Sequence, residues 1–143
     1  MDASSSWGIS LVVGTYWAAW RLVPGWNGDG HNIGWAEGIA LELAVNWLCS
    51  KKYHNVDIIV QSDNSGVIGA FWKGCSHNVS HNDSISQISI SLSLSNLSLS
   101  PIFIPSLANC ADPVSQGCLG PLSSHIPDTI FLPPVLCPYL IHV

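Results

Sequence analysis

The chain has 143 residues, enough for one domain with a real core. Hydrophobic residues make up 48% and charged residues only 9%, against about 25% charged in an ordinary soluble domain, so the surface is rich in Ser, Asn and His and solubility is expected to be marginal. The net charge is −5, and Arg21, Lys51, Lys52 and Lys73 are its only Lys and Arg, which excludes nucleic-acid binding by cation neutralisation alone; such a role would lean on bound metal ions, backbone amides and polar side chains.

Asp2 follows Met1 directly and a Ser run comes next, unlike a signal peptide. No stretch reaches the roughly 18 apolar residues of a membrane span. The five cysteines are odd in number and form no CxxC pair. The expectation is an intracellular, reducing compartment, cytoplasmic or nuclear, in which the sequons at Asn78, Asn82 and Asn96 mean nothing.

Residues 7–23 read as two or three antiparallel strands: Ile9, Leu11 and Val13 alternate with smaller neighbours, Gly14 punctuates, and an aromatic run follows to Val23. Pro24 to Asn32 is a loop by composition. Residues 33–52 predict the clearest helix, with Ala36, Ile39, Ala40, Leu43, Ala44, Trp47 and Leu48 spaced by three and four. Asn32 is a candidate N-cap, and Lys51 and Lys52 suit the C-terminal end of the macrodipole.

Val56 to Gln61 predicts a buried central strand, apolar on both faces. The SDNSG turn and a short helix at Val67 to Trp72 follow. Strand, helix and strand in that order predict a partly parallel sheet. Gly74 to Asp83 reads as a polar loop. In residues 84–100, Ile88, Ile90, Leu92 and Leu94 alternate with Ser; the pattern favours a strand, although Ile85, Ile88, Leu92 and Leu99 also fit one helical face. Pro101 to Pro105 is a strand candidate. Leu107 to Ser115 is a loop entering a helical turn at Pro113. Residues 119–143 read as a Pro-rich extended tail after a domain at 1–118.

Among nine acids, Asp2, Glu37, Asp63 and Asp112 stand at the ends of predicted elements, beside small or turn-forming residues. Carboxylates so placed can converge on one sheet edge and bind hard divalent cations, or they can be ordinary surface acids. The motifs DASSSWGI, WAAWRLVPGW, IGWAEGIALELAV, SDNSGVIGAFWKG and ANCADPVS, in this order, resemble the ribonuclease H-like domains of fungal retroelement polyproteins of the reverse transcriptase type. The resemblance runs from Asp2 to about Gly117, and the tail is also similar to the segment after those domains. SDNSGVIGAFWKG is its longest and most specific part.

That resemblance implies an α/β fold with a mixed five-stranded sheet flanked by helices. It makes Asp2, Glu37, Asp63 and Asp112 both the catalytic residues and the ligands of two Mg²⁺ or Mn²⁺ ions. It implies a nuclease that hydrolyses RNA in RNA–DNA hybrids by a two-metal mechanism, within a larger polymerase polyprotein. It also implies helix, not strand, for much of 84–100.

Three features depart from the pattern. Only Met1 precedes Asp2, so the first strand is expected to be truncated. Cys75, His77, His81, Ser86 and Gln87 stand where such domains commonly have Arg. No His lies between Leu97 and Asp112. The alternative is therefore a degenerate, catalytically inactive fragment acting at most as a nucleic-acid or protein binding module.

Candidate nucleic-acid contacts are Asn64 and Ser65 beside Asp63, Trp26 for base stacking, and Lys73. Asn64 and Ser65 read equally as helix caps. Trp7, Trp17, Trp20, Trp35, Trp47 and Trp72 are expected in the core. Cys75, His77 and His81 make a third, zinc-binding reading, but lack a second compact ligand pair. Cys110 and Cys118 read as free thiols.

Overall fold

The computed structural model describes residues 1–127 and 130–143. Its N-terminal hairpin pairs β2 (Gly8–Val13) antiparallel with β3 (Tyr16–Leu22). Val13 faces Tyr16, which leaves a two-residue turn whose Gly14 has φ 61°. A positive φ at this position suits the twist of a tight hairpin. At Gly8 a Cβ would lie 2.1 Å from the Trp20 carbonyl oxygen, so the chain needs glycine for this close approach.

β1 (Asp2–Ala3) adds to β2, and β6 (Leu140–His142) adds to β3, giving a four-stranded antiparallel sheet in the order β1-β2-β3-β6. β4 (Asp57–Ser62) and β5 (Ser98–Phe103) form a separate two-stranded parallel sheet. The molecule is thus a mixed α/β fold with two sheets, instead of the single mixed five-stranded sheet expected. The physical reason is the length of β1: two residues pair with β2 and leave no ladder to carry across to β4. One bond does cross that gap, from the Met1 amino group to the Gln61 carbonyl of β4 at 3.1 Å.

Helix α1 (Ile33–Ser50) starts where expected, and the Asn32 carboxamide oxygen accepts from Trp35 N at 3.0 Å. The anticipated apolar face is buried, and so are Leu41, Glu42 and Val45, because α1 packs on β1 and β2 as well as on α2 and α3. Helix α2 (Ser65–Lys73) is capped by Asn64 and ends at Gly74 in the left-handed conformation, φ 74°.

Residues 79–95 correct the strand reading. Val79–Ser95 form α3, capped by Asn78, and only the last part of the 84–100 segment enters β5. Ser84, Ile88 and Leu92 are its buried positions, at helical spacing, while the alternating Ile90 and Leu94 point to solvent at 52% and 84% exposure. Packing on α1 through that one stripe overrides the poor helix propensity of serine.

β4 is also less enclosed than a central strand. Val60 and Ser62 are buried but Ile59 is 64% exposed, since β4 and β5 stand alone and one face meets solvent. Trp17, Trp20, Trp35 and Trp47 are buried, whereas Trp72 on α2 is exposed. Helix α4 (Asp112–Ser115) carries Pro113 in its first turn and packs on β2 and β1. The described residues beyond 118 run across the fold: Ile126, Ile130, Leu136 and Leu140 join the main core.

Candidate metal centre

The gap between the two sheets gathers acids from three elements. Asp2 lies on β1, opposite Ser10 of β2. Glu37 lies in the second turn of α1 and points back at β1, where the Ala3 backbone N–H donates to it. Asp63 stands just past the end of β4, in a turn held by Asn64 N donating to the buried Ser62 Oγ at 3.1 Å. One carboxylate oxygen from each of the three lies within 4.8 Å of the other two. Asp2 is 3% and Glu37 4% exposed. This buried acidic triad can hold a metal ion.

The fourth expected ligand does not join. Asp112 is outside the group of mutually close ligand atoms, and its Oδ1 accepts from Gln116 Nε2 at 2.9 Å. The short α4 directs it along its own helix surface, although its charge still reaches Asp2. What α4 supplies to the triad is Ser115, fully buried, whose Oγ lies 2.5 Å from Asp2 Oδ2 and 2.9 Å from the Asp112 carbonyl.

Asn109 is the residue that sequence reasoning missed. It is buried at 4% exposure, and its Nδ2 lies 3.3 Å from Asp2 Oδ1, 3.2 Å from Asp63 Oδ1 and 3.3 Å from the Met1 carbonyl. Its own Oδ1 accepts from Ala111 N at 3.1 Å. With two hydrogens for three acceptors, the amide ties β1 to the end of β4 where no ladder does. The signal in the sequence is its place three residues before Asp112, in a loop where the acid alone stands out. Ser10 anchors the same loop, donating from Oγ to the Ala111 carbonyl at 2.8 Å.

Burial dominates the electrostatics. It pushes Glu37 up to about 8, and the neighbouring Asp2 and Asp63 charges add to the rise. Asp2 is pushed up to about 6, first by burial, against the Ser115 hydrogen bond, and further by Asp63 and Asp112. For Asp63 burial works upward too, but hydrogen bonds from Ser106, Asp2 and Asn109 outweigh it and hold the group below its ordinary value. Below about pH 6 Asp2 therefore holds the proton of the pair and shares it towards Asp63, as close carboxyl pairs do.

Glu37 Oε2 is buried and has no hydrogen-bond partner among the described residues. A buried, partnerless oxygen on a carboxylate that groups with two others fits a cation. The all-oxygen donor set suits a hard divalent ion such as Mg²⁺ or Mn²⁺.

The other candidates are placed as follows. Asn64 Oδ1 accepts from Val67 N at 3.1 Å, so that half of its amide is a helix cap. Ser65 is exposed beside Asp63. Lys73 is exposed at the opposite end of α2 from Asp63. Trp26 is half-buried, stacked against Trp35 with centroids 5.9 Å apart, so one ring face is taken by packing. His81 contacts Ser76 Oγ at 3.4 Å and Asn32 Oδ1 at 3.3 Å, and Cys75, His77 and His81 form no three-ligand group among the described residues. Cys110 and Cys118 are free and exposed. No described helix is long and apolar enough to cross a membrane.

Comparison with known protein families, with characterised proteins and with solved structures returns no match. Function is therefore read from the geometry of the site.

Proposed function

We propose that this chain is a metal-dependent phosphodiester hydrolase with ribonuclease H-like topology, acting on RNA in RNA–DNA hybrids. The observation that carries the reading is the convergence of the Asp2, Glu37 and Asp63 carboxylates, with Glu37 Oε2 buried and without a hydrogen-bond partner among the described residues. These are three of the four acids marked by the motif resemblance. The strand arrangement is compatible with it: the Met1–Gln61 hydrogen bond sets the edge of the antiparallel sheet beside the parallel pair.

Asp2, Glu37 and Asp63 would hold a divalent cation, with Asp112 at the rim for a second. A bound cation supplies Lewis-acid polarisation of the phosphodiester and lowers the pKa of water. The chain's own residues orient and protonate. Asn109 and Ser115 fix both oxygens of Asp2. Glu37 holds a proton up to about pH 8 while the site is cation-free. Exposed Ser65 stands where a phosphate next to Asp63 would pass, and exposed Lys73 lies further along the same helix. The test is cleavage of an RNA–DNA hybrid with Mg²⁺ or Mn²⁺. Asp63→Asn is expected to lower the rate by on the order of 100-fold or more, since a misplaced or lost ligand removes the positioning on which rate depends. Undiminished cleavage by Asp63→Asn refutes the assignment.

A second reading has its own observation. Both Asp2 oxygens already accept hydrogen bonds from the protein, and Asp112 stands outside the triad. A hydrogen-bonded carboxylate network can persist in an inactive module that binds nucleic acid or protein. Hybrid binding without cleavage at saturating Mn²⁺ selects this reading.

A further inference from the structure

On the far side of α1 from β1 lies an open cleft of about 640 Å³, lined by α1, α3 and the segment at 131–139. Such a volume is typical of small-molecule sites. Its wall carries the Glu42 carboxylate, only 5% exposed, and the Asp83 carboxylate of α3. Among the described lining residues only His31 can carry a positive charge, and neither Lys nor Arg is present.

Aromatic rings form another part of the wall. His31 stacks on Trp35 with centroids 4.0 Å apart, and Tyr139 meets both rings edge-on at 4.8 and 5.5 Å. Tyr139 is itself braced from outside, donating from its hydroxyl to Asp29 Oδ2 at 2.5 Å. Ile39 and Leu136 add apolar side chains to the lining.

We propose that this cleft binds a linear aliphatic polyamine. Carboxylates at the wall select a cation and disfavour an anion. Trp35, 4% exposed and stacked by both His31 and Trp26, offers no open ring face to an ammonium, so the rings and the apolar side chains of the lining serve as packing surface for the methylenes between the ammonium groups. Ser84 and Gln87, also in the lining, provide acceptors for the remaining ammonium hydrogens. The site is separate from the acidic triad and independent of the nuclease reading.

Spermidine is the probe, titrated into the full chain by calorimetry, with Trp fluorescence as a second readout. Saturable binding with one spermidine per chain is expected, unchanged in Asp63→Asn and weakened about tenfold in Glu42→Gln, the loss of one close charge pair. If Glu42→Gln does not fold, Asp83→Asn at an exposed position serves instead, with a smaller loss that shrinks further in salt. No saturable binding overturns the proposal. Equal affinity in the folded acid variants also overturns it, and so does a loss in Asp63→Asn, which would move the amine to the triad.

Discussion

Helices α1 and α3 pack against each other, yet they are stabilised in opposite ways. In α1 apolar and small side chains are buried around nearly the whole circumference, between the sheet on one side and α3 and the C-terminal segment on the other. In α3 a single stripe of Ser84, Ile88 and Leu92 is buried, and most other positions are solvated serines or exposed aliphatics. The contrast teaches that α1 is helical by pattern and by packing, whereas α3 is helical because α1 provides a surface for it.

Removing side-chain volume breaks the comparison most directly. Leu43→Ala in α1, at a position with 0% exposure, is expected to cost about 4 kcal/mol. Leu92→Ala in α3, at 9% exposure beside solvent, is expected to cost about 2 kcal/mol, because water and neighbouring chains can relax into the space. Urea denaturation measures both, and equal losses would show that α3 is as tightly enclosed as α1.

A second difference is ionic. α1 buries Glu37 and Glu42, and both are pushed above the ordinary glutamate value, first of all by burial. For Glu37 the folded value of about 8 lies above the ordinary 4.5. The folded chain then binds more protons than the unfolded chain between those limits, so stability falls as pH rises from about 4.5 to 8. Asp2, raised from 3.8 to about 6, adds a fall of the same sign over its own window. Stability changes by up to about 1.4 kcal/mol for each pH unit crossed in that window, so Glu37 contributes on the order of a few kcal/mol. Glu37→Gln in chelator is expected to flatten the profile between pH 5 and 8, and Mg²⁺ to restore the native chain at pH 8 but not the variant. Thermal melts across pH, with and without Mg²⁺, check this; parallel slopes in the two proteins would remove Glu37 as the cause.

The smallest effect sharpens the same contrast. Ser86, Ser89 and Ser93 are exposed on α3, and each change to Ala is expected to stabilise the fold by about 0.5 kcal/mol, the difference in helix propensity. Melting temperature should rise additively through the three replacements. A fall would mean that these hydroxyls take part in packing or capping.

Much of this was legible in the chain itself. The hairpin around Gly14, the cap at Asn32 and the length of α1 follow from local chemistry that acts within a few residues. So does the placing of Glu37 early in α1 and of Asp63 in the turn after β4. The site was less legible on the loop before α4. Asp112 carries the motif, yet Asn109 of the loop and Ser115 at the end of α4 make the hydrogen bonds to Asp2, and neither residue type is distinctive at such a position. Their role depends on β1 and β4 arriving from distant parts of the chain.

Sequence alone determined α1, β4 and α2, in that order after the first hairpin, and marked Glu37 and Asp63 at the ends of their elements, because propensity, capping and periodicity are local properties. Tertiary structure alone decided three things. It made a helix of residues 79–95, where period-two serines argued for a strand but α1 rewarded a helical stripe. It divided the strands into two sheets, because a two-residue β1 cannot sustain a ladder on both edges. It drew Asp2, Glu37 and Asp63 together while leaving Asp112 aside, because convergence of carboxylates is a matter of where strand ends and helix turns meet in space.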